Sequence, residues 1–540
     1  MMSPSNHLVG PDPVRTSLGT LCQHLFEGSG SIESGDGTHR AERPWLHFRV
    51  GGRTRAYHRS QVAARAARWA AGLDAIGVEP GDRVALIMPS SLDFVAGLFG
   101  AQRIGAIPVP LPWPFFLDRV DHHLRKLGGI ITKAEPSAIL TTPHFAESGE
   151  LGLPCLTEPG PDPYRGSDLS RPEQPAFIQY TSGTTSSPKG AVISHRSAVS
   201  NVLAMGRALG LGPGEVGVSW LPLFHDMGLV GALFSSLAFD FPLHLMGPSE
   251  FMLHPKGWLR AISEARATLT VAPNFGYAHA LRRVRELDGL DLGSLRTALD
   301  GSEPVTRKIV DAFEARFREA GLTVGTIRPV YGLAENTLGV AFGTGDDPDW
   351  HGTSQPLPSV GTPLEGTRVE LRDPEAGTPA EPGAEGEIWV RSGSKMEGYF
   401  RDPDATEAAL VRGWLRTGDL GVIDRGKLYV TGRHKELVVK AGRKLRPDEI
   451  EALVRDALDQ EPTGVAALSL RGTETESLAL LIESRDHLDE RAARQVRGRV
   501  QEALGIRADT VRFLRPGSLP RTSSGKIRRF ACANLVEADG

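Results

Sequence analysis

Apolar residues return along this chain at two spacings, and the two alternate. Residues 61–76 repeat them at helical intervals, and GDRVALIMPSSLDFVAGLFGAQRIGAIPVPL then reads as strand, helix, strand. Pro80-Gly81-Asp82 breaks the chain before the first of these strands, and Gly105 ends the helix. Just upstream, WLHFRVGGRTRAYHRS has strand-like halves around Gly51-Gly52, a hairpin signal. LDRVDHHLRKLGG and SAILTT continue the alternation. Further on, WLRAISEA reads as amphipathic helix, ATLTVAP as strand, and residues 295–299 as a strand running into a Gly-containing turn. GEIWVRSGSKMEGYF and GWLRTGDLG give strand, turn and strand. Such alternation predicts an α/β fold: a large N-terminal domain of parallel-rich sheets covered by helices.

Two boundaries stand out against that pattern. Residues 1–44 are rich in Gly, Ser, Pro and His and read as a leader with the composition of a mobile loop. After residue 433 a smaller α/β pattern begins, with ELVVK, the helix PDEIEALVRDAL, the strands VAALSL and SLALLIES, the helix ERAARQVRGRVQEAL and TVRFL. The expected division is therefore a leader (1–44), a large domain (45–432) and a small mobile C-terminal lid (433–540).

With 540 residues, both domains have room for a core. Lys and Arg number 61 against 65 Asp and Glu, a net charge of −4, which argues against general affinity for nucleic acid. Cys22, Cys155 and Cys532 are widely separated, without disulfide-framework or zinc-ligand spacing, and suit a reducing cytoplasm. The N-terminal residues do not read as a signal peptide, and the most apolar run, 229–239, is too short to span a bilayer.

Candidate chemistry concentrates in YTSGTTSSPKGAVISH, residues 180–195. Thr181, Ser182, Thr184, Thr185, Ser186 and Ser187 carry hydroxyls, with Gly183, Lys189 and Gly190 among them. The segment follows a strand-like run at 175–180 and precedes helical periodicity. Freed backbone N–H groups, hydroxyls and the Lys189 ammonium facing one volume suit polyphosphate, although a solvated turn has the same composition. No Gly-Lys-Ser/Thr triplet is present, so this is not a Walker loop.

The order Tyr-Thr-Ser-Gly-Thr-Thr-x-x-Pro-Lys-Gly instead resembles the phosphate loop of the adenylate-forming superfamily, which contains acyl-CoA synthetases, amino-acid adenylation domains, luciferases and fatty acyl-AMP ligases. Further motifs resemble that superfamily in its order from about residue 45 to 530. LPLFHDMGLVG and PNFGY are similar to fatty acyl-AMP ligase segments, which implies an acyl pocket of Trp220, Phe224, Met227, Gly228, Phe275 and Tyr277; read alone, Phe275 and Tyr277 are equally ordinary core aromatics. His225 would orient the carboxylate and gate its tunnel; read alone, an adjacent His-Asp pair in an apolar segment needs only partners or water. Gly301, Ser302 and Glu303 match a segment that packs along the adenine, at the carboxyl end of a strand where α/β folds place ligands. By itself the segment is a plain strand-to-helix turn.

In YGLAE, the resemblance places Tyr331 and Gly332 beside the adenine and Glu335 with Thr184 on Mg·ATP. Magnesium takes oxygen ligands and is shared with substrate phosphates, so one carboxylate is a sensible contribution. Asp419, in RTGD, resembles the carboxylate that accepts from both ribose hydroxyls. Arg433 reaches ribose or phosphate, Lys435 matches the hinge, and LPRTSSGKI resembles the mobile segment that carries the catalytic lysine, here Lys526. The ATP contacts implied are thus Thr181, Ser182, Gly183, Thr184, Thr185, Lys189, Gly301 to Glu303, Tyr331, Gly332, Asp419 and Arg433. Lys526, His225, Glu335 and Thr184 would act in the reaction.

The resemblance implies activation of a carboxylic acid, fatty in the nearest branch, to acyl-AMP with release of pyrophosphate. Transfer to the phosphopantetheine thiol of an acyl carrier protein follows, with ATP and Mg as cofactors and no stable insertion in a membrane. That branch usually carries an insertion between the YGLAE motif and the next Val-Gly strand start. Here it is missing or much reduced before Gly361, which leaves exclusion of free coenzyme A open. An acyl-CoA synthetase, a stand-alone amino-acid or aryl-acid adenylating enzyme and a non-enzymatic nucleotide-binding scaffold remain as alternatives.

Overall fold

The computed structural model describes residues 6–9, 20–26, 43–114, 120–147, 152–181, 188–343, 349–352, 356–440, 443–471, 476–485, 489–521 and 527–537. Among these, the longest sheet runs Thr362–Pro363, Gly339–Phe342, Ile327–Gly332, Thr297–Asp300, Leu269–Ala272, Gly217–Ser219, Leu243–Met246, Leu46–Val50, Arg53–Tyr57. Every pairing from Ile327–Gly332 to Leu46–Val50 is parallel, and the edges are antiparallel. Parallel neighbours need crossovers, which helices such as Lys256–Ala265 and Arg307–Phe317 supply. The last two strands form the expected hairpin. Gly51 and Gly52 have φ of 56° and 78°, the two positive values a two-residue turn demands.

A second, wholly parallel sheet orders Ile107–Pro110, Arg83–Ile87, Ala138–Thr141 and Cys155–Leu156. Its helix Leu92–Arg103 is capped by Ser91, whose Oγ accepts from Phe94 N at 3.2 Å. That helix packs tightly on Arg59–Ala75, because a Cβ at Gly100 would lie 2.7 Å from the Ala66 carbonyl oxygen. A small antiparallel sheet of Gly398–Tyr399, Gly190–Ser194 and Pro175–Tyr180 carries the phosphate-loop motif at its end. Antiparallel strands Gly386–Arg391, Trp414–Asp424 and Lys427–Arg433 complete the large part.

Beyond residue 437, the hairpin Val438–Lys440 and Arg443–Leu445 leads into a sheet of Gly464–Arg471, Glu476–Glu483 and Thr510–Leu514, with helices Pro447–Asp456 and Glu490–Leu504. The two apolar clusters here draw only on residues from Val438 onward. The elements read from the sequence are thus present in order.

Two features depart from expectation. The leader is not loose throughout: His7–Val9 pairs antiparallel with Arg368–Arg372, and helix Leu21–Phe26 buries Leu21 and Leu25 in the main core. Apolar residues at the spacing of one helical turn give that short stretch a buried face. The apolar run near 229–239 is a π-helix, Met227–Phe234, continued by Ser235–Ala238. Gly228 permits it, since a Cβ there would sit 2.3 Å from the Pro222 carbonyl oxygen. No helix among the described residues is long and apolar enough to cross a membrane.

Candidate active site

The antiparallel pair Pro175–Tyr180 and Gly190–Ser194 brings both ends of the hydroxyl-rich stretch together. Thr181 N donates to Lys189 O at 2.9 Å, and the Thr181 hydroxyl donates to the same oxygen at 3.4 Å. Gly190 is required at the base, because a Cβ would lie 2.7 Å from Ile178 Cγ2. Ser182, Gly183, Thr184 and Thr185 lie outside the described residues. Among the described residues Lys189 forms no ion pair with a carboxylate; its Nζ stands 4.9 Å from the centre of the Tyr399 ring.

Glu335 sits on the 3₁₀ turn Ala334–Asn336 that follows strand Ile327–Gly332. The turn is fastened on its far side: Ser392 Oγ donates to Asn336 Oδ1 at 2.5 Å and Thr337 Oγ1 donates to Ser394 O at 2.6 Å. The Tyr399 hydroxyl donates to Glu335 Oε1 at 2.8 Å. Burial, and then the Glu335 charge, raise the Tyr399 phenol far above its ordinary value, so it stays a donor. The other carboxylate oxygen, Oε2, makes no hydrogen bond among the described residues. One hard oxygen beside a phosphate loop fits magnesium shared with substrate phosphates. No group of three or more His, Cys, Asp or Glu that would cage a metal occurs among the described residues.

On the next strand pair, Asp419 stands opposite Arg433. Arg433 Nε donates to Asp419 Oδ1 at 2.6 Å and Tyr331 Oη donates to Oδ2 at 2.8 Å. The Asp419 charge holds Arg433 firmly protonated, while burial and that same charge push the Tyr331 phenol up. Each carboxylate oxygen has one further acceptor site, which is the capacity that two ribose hydroxyls require. Gly301 and Gly332 are pressed against backbone, with Cβ positions 2.8 Å from Val330 O and 2.1 Å from Leu338 O. Ser302 holds a strained φ of 75°. Glu303 is engaged with the Phe275 N–H, a structural contact.

From the Ser302 and Tyr331 turn a narrow apolar cavity runs between the π-helix and the central strands, with about 800 Å³ of space outside atoms, part of it open to solvent. Met227, Gly231, Leu269, Leu299, Val330 and Phe241 represent its walls. Three of its hydroxyls are engaged within the protein: Ser235 Oγ donates to Val230 O, Thr270 Oγ1 donates to Val218 O, and Ser219 Oγ accepts from Leu221 N, while Ser302 and Asp226 also border it. Of the expected pocket residues, Met227 lines this cavity. Trp220 instead stacks on Phe251 with centroids 3.9 Å apart, Phe275 meets it edge-on, and Tyr277 is fully buried against Trp258. These rings fill the core behind the sheet. Phe224 is buried beside Gln179, and Gly228 serves the close approach to Pro222. His225 Nδ1 lies 2.6 Å from Asp226 Oδ1, and Asp226, not His225, borders the cavity.

The backbone of Lys435 lies in the turn His434–Glu436; Lys526 lies outside the described residues. On one side of that turn Arg433 is fastened to Asp419. On the other, Glu436 accepts from Arg529 Nη1 at 2.7 Å, and Arg529 also clasps Glu451 at 2.9 and 3.0 Å. Tyr399 is not singled out by the sequence, where Gly-Tyr after the strand Gly386–Arg391 was the available signal; Asp226 is, as the neighbour of His225 in an apolar segment.

The fold and its relatives make this an adenylate-forming ligase. The chain matches the family of AMP-binding enzymes over residues 36–400 and belongs to it. It is 35% identical over 515 residues to 4-hydroxyphenylalkanoate adenylyltransferase of Mycobacterium tuberculosis (strain ATCC 25618 / H37Rv), covering 84% of this chain and 81% of that one. It is 34% identical over 545 residues to the long-chain-fatty-acid–AMP ligase FadD26 of Mycobacterium marinum (strain ATCC BAA-535 / M), covering 89% and 91%. A solved structure from work on fatty acyl-adenylate ligases of E. coli and L. pneumophila superposes with a TM-score of 0.86 at 31% identity, covering 97% of this chain and 99% of that one.

Proposed function

We propose that the protein activates an acid with an apolar chain as its acyl-adenylate, and passes the acyl group to a phosphopantetheine thiol on an acyl carrier protein. The observation that carries the choice of acid is the cavity: most of its walls are apolar, and the Ser219, Ser235 and Thr270 hydroxyls are engaged within the protein. Beside Asp226 and Ser302, a chain bearing buried polar groups would find few partners there.

In the first half-reaction a carboxylate oxygen bonds to the α-phosphorus of ATP, and the bond to the bridging oxygen breaks as pyrophosphate leaves. Both reactants are anionic, so the site must neutralise charge and align the attack rather than supply an acid or base. Lys189 and the phosphate-loop residues Thr181 to Thr185 would hold the departing phosphates, and Asp419, Tyr331 and Arg433 the nucleoside. Gly301 to Glu303 and Gly332 would border the adenine. Bound Mg²⁺ would supply charge neutralisation at the phosphates, held on the protein by Glu335 and Thr184. Lys526 would bridge the carboxylate and α-phosphate oxygens, and His225 would orient the carboxylate at the tunnel mouth. Rotation about Lys435 would then withdraw Lys526 and admit the thiol, whose sulfur displaces AMP from the acyl carbon.

The reduced stretch before Gly361 favours a second reading in which coenzyme A is the acceptor. Offering the best acid to coenzyme A and to a holo carrier protein in parallel separates the two. Transfer to the carrier at least tenfold faster supports the proposal, and efficient acyl-CoA formation overturns the carrier assignment.

A further inference from the structure

Tyr399 stands where three separate parts of the site meet. Its two-residue strand adds to the edge of the phosphate-loop hairpin, with Tyr399 opposite Ala191 and Gly398 opposite Val192. Glu397 N donates to Val192 O at 2.9 Å and Phe400 N donates to Gly190 O at 2.8 Å, so the strap is held on both sides of the tyrosine. From the other direction, Tyr399 N donates to Thr406 Oγ1 at 2.8 Å, which ties the strap to helix Pro403–Ala409. Gly398 lets the strap lie this close, since a Cβ there would be 2.8 Å from Thr406 Cγ2. The ring therefore has little freedom at its base.

Its two ends do different things. The hydroxyl reaches Glu335 Oε1 at 2.8 Å, and the ring face sits under the Lys189 ammonium at 4.9 Å. A lysine and a glutamate approaching one small volume would ordinarily pair and cancel. Here no Lys189–Glu335 ion pair forms among the described residues: the Lys189 ammonium lies over the Tyr399 ring, and Glu335 accepts from the hydroxyl of that ring. That leaves the carboxylate available to a cation and the ammonium to phosphate.

We propose that Tyr399 is a positioning residue for the metal: its hydroxyl aims the Glu335 carboxylate at Mg·ATP, and its ring keeps Lys189 off that carboxylate and free for the phosphates. This rests on the reading of Glu335 as the metal carboxylate. Tyr399→Phe removes the hydroxyl and keeps the ring, so it should weaken the metal without displacing Lys189. Tyr399→Leu removes both and should let Lys189 collapse onto Glu335.

The test is a Mn²⁺ titration followed by electron paramagnetic resonance, with the full chain and a non-hydrolysable ATP analogue, beside Mg²⁺ dependence of ATP–pyrophosphate exchange. Tyr399→Phe is expected to weaken Mn²⁺ about tenfold and to raise the half-saturating Mg²⁺ concentration by a similar factor. At saturating Mg²⁺ its kcat should stay within about threefold, with the KM for the acid unchanged. Tyr399→Leu should lose about a hundredfold in Mn²⁺ affinity and weaken ATP as well. Native Mn²⁺ affinity in a folded Tyr399→Phe overturns the inference. Should that variant not fold, Thr406→Val, which loosens the strap without touching Glu335, decides: a several-fold loss of Mn²⁺ affinity supports the inference and native affinity overturns it. Glu335→Ala separates the two levels. If it leaves Mn²⁺ binding intact, the reading of the metal site fails as well; if it abolishes binding while Tyr399→Phe does not, only the role of Tyr399 falls.

Discussion

His195 opens the helix that follows the phosphate-loop hairpin, and only 1% of it is exposed. Its Nδ1 accepts from Leu21 N at 3.3 Å, so the ring must be neutral to hold the docked leader helix. Burial depresses its pKa to about 3. His244, stacked on His47 at 4.1 Å, is lowered to about 4 by burial and by that neighbour. A depressed histidine binds a proton in the unfolded chain before it does so in the folded one. Stability is therefore complete above about pH 6.5 and falls as the pH drops toward 4, by at most about 1.4 kcal/mol per unit for each histidine. Urea unfolding at pH 7 and pH 5 should show a markedly lower midpoint at pH 5, and His195→Gln should reduce the difference. Equal midpoints in the parent protein would contradict this assignment. At this scale a residue within a contiguous motif, as Asp419 and Arg433 are, was legible as a candidate. The Tyr399–Glu335 contact was not, because it depends on a pairing between strands about two hundred positions apart.

Among elements, the alternation of periods foretold the parallel sheets, since helical crossovers between buried strands leave that pattern directly. The π-helix Met227–Phe234 was hidden. An apolar run fully buried on all sides carries no period, and its geometry depends on Gly228 meeting Pro222 from outside the helix. Gly228→Ala is expected to force the two apart at a cost of roughly 1–3 kcal/mol. Because Met227 and Gly231 line the cavity, the KM for the acid should rise together with a lowered melting temperature. An unchanged melting temperature and KM would remove the π-helix from the account of the acyl cavity. The placement of the aromatic residues was hidden for a related reason. Trp220, Phe275 and Tyr277 sit in a segment that borders the cavity, but their rings point to the core behind the sheet, where large side chains were needed to fill space between helices.

Across the whole molecule, separate apolar clusters before and after Val438 leave the turn His434–Glu436 as the link between two bodies. Arg433 fastens one side of it to Asp419, and Arg529 fastens the other side to Glu436 and Glu451. The hinge proposed near Lys435 would turn between these two fastenings. The order of motifs made the two-part plan legible, whereas the identity of the acid depends on cavity walls contributed by many strands. Acid-dependent ATP–pyrophosphate exchange tests the central claim most directly. Across a panel from short to long chains, with amino acids and hydroxylated acids included, unsubstituted apolar acids should drive exchange at least tenfold better than polar acids of equal length, and Glu335→Gln should reduce it at least a hundredfold. Exchange that is independent of added acid, or that favours the polar acids, would contradict the account.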